Sequence, residues 1–223
     1  MLPSTCLGVP AIVYDNFYAE PDVVRKYALS LMYDDTEGIY PGVRTKPNAV
    51  NEKLNKITKD LLTSRISELF VEQPTIESTR NQFQKIPNFS IHKDNPLNWG
   101  WIHRDSSEPN PIPFSLAGIV YLDPNPTPNT GTSFYESKIE PVSWEGDDTR
   151  LQLCQDKLTD KSKYITDIKK HNSQFERVME VENKYNRLVI YNGSDYHAMT
   201  SCYTEYDDVR LTQVLFYRFP DIY

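Results

Sequence analysis

His103 and Asp105 stand two positions apart in the run Trp101-Ile102-His103-Arg104-Asp105. On an extended strand, side chains at i and i+2 point to the same side, so an imidazole and a carboxylate at this spacing can bind one metal ion together. The spacing by itself is cheap, because His92-Lys93-Asp94 repeats it shortly upstream. His197 follows a buried-looking run, Arg187 to Tyr191, and adds a distant second imidazole. Two neutral imidazoles and one carboxylate form a facial set: three ligands on one side of the ion, with positions left open on the other, a donor set suited to Fe(II).

Arg210 adds a demand of a different kind. It begins a run, Val209 to Phe219, in which Arg210, Thr212, Val214 and Phe216 share one face of a strand and Leu211, Leu215 and Tyr217 share the other. Both faces read as buried, and a buried guanidinium is costly without an anion. The nearby acidic residues, Asp207 and Asp208, fall just outside the strand. A dicarboxylate ligand would supply the partner, gripped in bidentate fashion, with the Thr212 hydroxyl as a second donor. Pairing of Arg210 with a structural carboxylate, or snorkelling out at the strand start, is the alternative.

The elements that would position these residues follow from periodicity. Ala11 to Phe17 predicts a short strand, and Pro21 opens a helix carrying Val24, Tyr27, Ala28 and Leu31. From about Val50 to Val71, apolar residues recur at three- and four-residue steps, which predicts a second helix with one buried face. From about Arg80 the pattern changes to short aromatic-rich runs between Pro, Asn and Gly: Asn98 to His103, Phe114 to Leu122, Thr132 to Glu136, Arg187 to Asn192 and Val209 to Phe219. Between about 147 and 184 lies a polar, Lys- and Asp-rich insertion, expected to be helical and peripheral, with His171 a solvated surface residue. The expectation is a single domain over 1–223. Residues 1–79 give helical support, and 80–223 form a helix-flanked double sheet around the insertion.

Composition limits the partners. The chain has 223 residues with a net charge of −7, and no basic cluster interleaved with aromatics, so nucleic acid is a poor candidate. No apolar run approaches a membrane span, and Met1 to Pro10 lacks the pattern of a secretory signal, which predicts a cytoplasmic protein. Cys6, Cys154 and Cys202 are widely spaced and read as reduced structural thiols. Oligomeric state is silent in the sequence.

The ordered set His103-x-Asp105, Tyr121-Leu122-Asp123, Gly131-Thr132-Ser133-Phe134, Asn186 to Tyr191, His197 and Arg210-Leu211-Thr212 resembles the Fe(II)/2-oxoglutarate dioxygenase superfamily. The prolyl-hydroxylase-like branch and small bacterial and phage members are the most similar. The resemblance covers roughly residues 98 to 219. It implies a mainly β fold, a double-stranded β-helix (jelly roll, cupin-like) with N-terminal helices. It also implies Fe(II) on His103, Asp105 and His197, and the distal carboxylate of 2-oxoglutarate on Arg210. Tyr121 either assists that carboxylate through its phenol or is a core aromatic. The family's ligand strand leads through a Pro-rich loop toward a Gly131-Thr132-like turn, as the chain does after Asp105, and this favours His103 over His92.

The implied reaction uses O2 and 2-oxoglutarate to hydroxylate a C–H bond of a peptidyl proline, an amino acid or a small metabolite, releasing succinate and CO2. The rival readings are a non-catalytic jelly-roll binding module and a cupin-like metalloenzyme independent of 2-oxoglutarate. Two loops are candidates for substrate contact: Gly38 to Lys46, where Tyr40 offers a stacking face and Arg44 an anion partner, and Asp123 to Thr130. The first of them could equally just cap the neighbouring helices.

Overall fold

The computed structural model describes residues 10–33, 38–67, 77–105, 115–206 and 209–218. Cys6, the loop expected after Asp105, Asp207 and Asp208, and the expected element ends at Val71, Phe114 and Phe219 lie outside the described residues.

Among the described residues, nine strands form two sheets. They are β1 (Ile12–Tyr14), β2 (Val43–Arg44), β3 (Glu77–Pro87), β4 (Ser115–Tyr121), β5 (Thr132–Ser137), β6 (Phe175–Val181), β7 (Leu188–Asn192), β8 (Tyr196–Met199) and β9 (Val209–Arg218). The larger sheet runs β1-β7-β4-β9-β3-β2 and the smaller β6-β5-β8, with every named pairing antiparallel. Phe134 of β5 and Val181 of β6 pack against Ala117, Tyr121, Val189 and Tyr191 of β4 and β7, so the two sheets face each other across a shared core. Jelly rolls are built from two such facing sheets.

The outer face of the large sheet is covered by α1 (Pro21–Ser30) and α2 (Glu52–Ser67). Pro21 opens α1 where a missing N–H costs nothing. The Asn51 side chain accepts from Leu54 N at 2.9 Å and caps the start of α2. Leu54, Leu62 and Ile66 of α2 then meet Leu116, Leu188, Leu211 and Leu215 from the sheet. The alternation expected of the last strand is present. Leu211, Leu215 and Tyr217 turn to the helices, while Arg210, Thr212, Val214 and Phe216 line a cavity on the inner face.

Three expectations need correction. Asn98 to His103 is not a laddered strand. Pro96–Asn98 is a turn of 3-10 helix, and the residues after it pair with β8 and the chain just beyond it through isolated bridges, Trp99 to Ser201 and His103 to His197, rather than a ladder. Close approach there depends on Gly100, since a Cβ at that position would lie 2.2 Å from the Met199 carbonyl oxygen. The insertion is helical only as α3 (Asp147–Cys154) and α4 (Lys161–Asn172), and its remainder is strand β6 in the small sheet. His171 is buried at the end of α4, stacked on Trp101 with ring centroids 4.6 Å apart. The insertion docks on the segment leading to His103 through Leu153, Tyr164 and Ile168, and His171 belongs to that apolar contact.

Candidate functional site

His103 and His197 face each other across their bridge. His103 N donates to the His197 carbonyl at 3.0 Å, and His197 N donates to the His103 carbonyl at 2.9 Å. Residues exchanging both hydrogen bonds in an antiparallel pair project their side chains to the same side, and the two rings sit 4.6 Å apart. Asp105 N donates to the Gly193 carbonyl at 2.8 Å, which holds the third residue of the set beside β8.

The proton positions follow from the partners. His103 Nδ1 lies 2.8 Å from the Trp101 carbonyl and His197 Nδ1 lies 2.9 Å from the Asp195 carbonyl. A carbonyl only accepts, so Nδ1 carries the proton in both rings and each Nε2 presents a lone pair. Those lone pairs converge on the Asp105 carboxylate, with His103 Nε2 at 3.8 Å from Oδ1 and His197 Nε2 at 3.4 Å from Oδ2. Burial, followed by His197, pushes the His103 pKa well below its usual value and keeps the ring neutral. Ligand atoms from the three residues lie within 4.8 Å of one another. Acceptors gathered with no proton between them form a cation site, and imidazoles tied back through Nδ1 to carbonyls are the usual outer support of such ligands. His92 and Asp94, in contrast, are exposed in a separate loop.

Across the cavity, Arg210 is buried on β9. Its Nε donates to the Thr130 carbonyl at 3.1 Å, while Nη2 is buried with no hydrogen-bond partner. A buried guanidinium nitrogen without a protein partner, beside a cavity, fits an anionic ligand. Thr212 lines the same cavity. Tyr121 is a fully buried core aromatic whose hydroxyl pairs with the Thr132 hydroxyl at 2.7 Å, and the Arg210 guanidinium lies 5.5 Å from its ring centroid. Tyr121 therefore backs Arg210 from behind, and Thr132 rather than Tyr121 reaches the cavity wall.

Tyr40 and Arg44 both line the cavity. The Arg44 guanidinium sits 3.7 Å above the Tyr40 ring, and its Nε donates to Gln84 Oε1 at 3.1 Å. Gly42, with φ +75°, makes the turn between them, where a Cβ would lie 2.1 Å from the Lys85 carbonyl oxygen. The Asp123–Thr130 loop is not part of the lining and acts instead as a brace. Asp123 Oδ1 accepts from Leu211 N at 3.0 Å, and the Thr130 carbonyl holds Arg210.

The insertion adds Arg150, Leu153, Cys154 and Tyr164 to the lining, none of which the sequence pattern singled out. Arg150 sits in an acidic helical stretch where nothing in the spacing marks it. The Cys154 thiol is pushed up to about 11 by burial, which leaves it unreactive near neutrality.

No curated protein matches the sequence. Solved structures do resemble it at low identity. HygX from Streptomyces hygroscopicus with nickel and 2-oxoglutarate bound is 12% identical, with 97% of this chain and 84% of that one covered at a TM-score of 0.61. A Trichoplax adhaerens prolyl hydroxylase in complex with a hypoxia-inducible-factor peptide is 13% identical, covering 98% and 86% at 0.55. An oxidoreductase of the 2OG-Fe(II) oxygenase family from Burkholderia pseudomallei is 9% identical, covering 96% and 86%, also at 0.55. At these identities the likeness establishes the fold, the double-stranded β-helix of 2-oxoglutarate oxygenases, and nothing finer. The sequence itself is matched from residue 5 to 201 by the model of DUF6445, a family of unknown function, and the chain belongs to that family.

Proposed function

We propose that the chain is an Fe(II)- and 2-oxoglutarate-dependent dioxygenase that hydroxylates a C–H bond of a peptidyl proline, an amino acid or a small metabolite. The observation that carries this reading is the pairing of two features in one cavity: three convergent metal-ligating groups, and the buried Arg210 Nη2 without a protein hydrogen-bond partner. The donor set of two neutral imidazoles and a carboxylate fits Fe(II), and a dicarboxylate spans from such an ion to a guanidinium. One of the similar folds, HygX, was solved with iron and with nickel and 2-oxoglutarate.

In this reading His103, Asp105 and His197 hold the iron. Arg210 takes the distal carboxylate of 2-oxoglutarate as a forked donor, with the Thr212 hydroxyl beside it, and Tyr121 with Thr132 stiffens the wall behind. Bound Fe(II) supplies O2 activation coupled to decarboxylation of 2-oxoglutarate, so that one oxygen atom enters succinate, CO2 leaves and the other oxygen enters the substrate C–H bond. Ile119, Met199, Val214 and Phe216 give the cavity apolar walls that keep water from the reacting groups. No described helix is long and apolar enough to cross a membrane.

Anaerobic titration with Fe(II) and then 2-oxoglutarate, followed by succinate detection on admitting O2 with candidate substrates, tests the proposal. Iron binding without 2-oxoglutarate binding would instead favour a cupin-like metalloenzyme, and absence of iron binding a non-catalytic module. The buried Arg210 guanidinium has no task in either alternative.

A further inference from the structure

The charged side chains lining the cavity are Arg44, Asp105, Arg150 and Arg210. Iron, Asp105 and Arg210 together leave two positive charges, which the two carboxylates of 2-oxoglutarate cancel. Arg44 and Arg150 then remain, two guanidinium groups in one cavity of a chain whose net charge is −7. Among the described residues, Arg44 has no ion pair and Arg150 has one, with a half-exposed carboxylate. Arg44 is held by Gln84, itself anchored by a 2.7 Å bond from its Nε2 to the Pro41 carbonyl, and its other nitrogens have no hydrogen-bond partner among the described residues. Among the described residues, Arg150 meets the Ile39 carbonyl at 3.4 Å and, loosely at 3.8 Å, the half-exposed Asp147 carboxylate. A pair that open to water is worth little. Burial works against the Arg44 charge.

The surroundings make this a built site. The Arg44 plane is stacked on Tyr40 and clamped through Nε, which leaves a preorganised fork of donors. Arg150 reaches from α3 to the loop carrying Tyr40, so both arginines sit where insertion and loop meet over the cavity. The adjoining wall is apolar, formed by Trp101, Leu153 and Tyr164, and the Trp101 indole N–H is buried without a partner.

We propose that the substrate presents an oxyanion, a carboxylate or a phosphate, to Arg44 and Arg150 and rests its apolar portion on the Trp101, Leu153 and Tyr164 wall. The proposal rests on the dioxygenase reading, and it narrows that reading's substrate to an acidic one. It also gives the insertion a task, because α3 brings a recognition residue that the barrel strands do not carry.

Anaerobic calorimetry on the protein loaded with Fe(II) and saturating 2-oxoglutarate tests it, with benzoate, phenyl phosphate and the neutral isostere benzamide as probes. At least one anion should bind about ten-fold or more tighter than benzamide, and the tighter of the two identifies the group. Arg44→Gln and Arg150→Gln should each weaken that anion by about ten-fold, with Arg44→Lys intermediate. The wild-type comparison of anion with amide needs no variant, so it stands even where a variant folds poorly. Benzamide binding as well as both anions, no binding of any probe, or full anion affinity in both Gln variants would overturn the proposal. Loss of 2-oxoglutarate instead of the anion in Arg44→Gln would overturn it too, by making Arg44 the co-substrate anchor. A wild-type protein that binds Fe(II) but no 2-oxoglutarate fails at the loading step, and that sinks the dioxygenase reading together with this one.

Discussion

His171 Nε2 lies 2.7 Å from the Ile102 carbonyl oxygen and donates to it, so the last turn of α4 is tied to the residue immediately before His103. The other ring nitrogen faces the Ser143 carbonyl at 3.3 Å, which already accepts from Gln174 Nε2 at 2.9 Å. Trp101, Trp144 and Phe175 enclose the ring. Replacing His171 with Ala removes a buried hydrogen bond and leaves a void among three aromatics, a loss on the order of 3 kcal/mol. Outer supports of metal ligands typically also carry about ten-fold or more in metal affinity. His171→Ala should therefore lower both the melting temperature and anaerobic Fe(II) affinity, with His171→Gln losing less of each. A variant that melts and binds iron like the wild type would show the contact to be incidental.

The same ring gives a pH dependence with a defined sign. Burial, the largest influence, lowers the His171 pKa against the upward pull of its two carbonyl contacts. The unfolded chain therefore binds the proton more readily than the folded one. The stabilisation is complete above the unfolded value of about 6.5 and is lost progressively as pH falls below it. His103 acts in the same direction in the metal-free protein. Melting temperatures of metal-free wild type should decline below about pH 6.5, and His171→Gln should decline less steeply. Parallel profiles for the two proteins would contradict this.

The last strand was legible from its alternation, and the candidate metal set from the spacing of its residues. Alternation in Val209–Arg218 put Arg210 and Thr212 on the face opposite Leu211 and Leu215, and the cavity has that lining. Strand β3 was missed because its buried positions are largely amides. Asn81, Gln82 and Gln84 are nearly solvent-free, satisfied by Asn55, Thr45 and Pro41, so the hydrophobic signal is absent where the burial is real. Strand β6 was lost in the insertion for a similar reason: three of its seven residues are exposed and charged or β-branched, and it pairs on one side only. His171 was misplaced because Lys169 and Lys170 beside it are exposed, while Tyr164, Ile168 and His171 recur on the buried face of α4.

Asp15 should govern acid lability at the edge of the large sheet. Its carboxylate accepts from Arg187 Nε at 2.6 Å and from Lys184 Nζ at 2.7 Å, joining the end of β1 to the turn before β7. These partners, Arg187 first and then Lys184, hold its pKa down to about 2. A depressed carboxylate stabilises the fold above its unfolded value of 3.8 and loses that contribution as pH falls toward 2. The side chain is a third exposed, so solvent screening limits the contribution at neutral pH to about 1 kcal/mol. Asp15→Asn should melt a few degrees lower at pH 7, with the gap from wild type closing near pH 2. A gap that persists at pH 2 would locate the effect in something other than charge.

The choice between the two His-x-Asp runs is open to direct measurement. His103→Ala and His197→Ala each remove one of three convergent donors and should abolish stoichiometric Fe(II) binding in anaerobic titration. His92 is exposed and outside that set, so His92→Ala should bind iron like the wild type. Iron lost with His92→Ala but kept with His103→Ala would move the centre to the other run.

Arg210 separates co-substrate from metal. Its Nη2 has no partner, so a carboxylate entering the cavity gains a charge-assisted bond without displacing an existing one, and Nε is already fixed on Thr130 to hold the fork in place. Truncation to Ala leaves that carboxylate unpaired in an apolar barrel, a loss on the order of 2–5 kcal/mol in 2-oxoglutarate binding. Lys keeps the charge but not the planar fork and should fall between. Fe(II) affinity should change little in either variant, since no iron donor hydrogen-bonds to Arg210. The decisive measurement is anaerobic 2-oxoglutarate titration of the iron-loaded variants alongside their melting curves. Wild-type 2-oxoglutarate affinity in a well-folded Arg210→Ala protein would remove Arg210 from the co-substrate site, and the unpaired nitrogen would then need a partner other than 2-oxoglutarate.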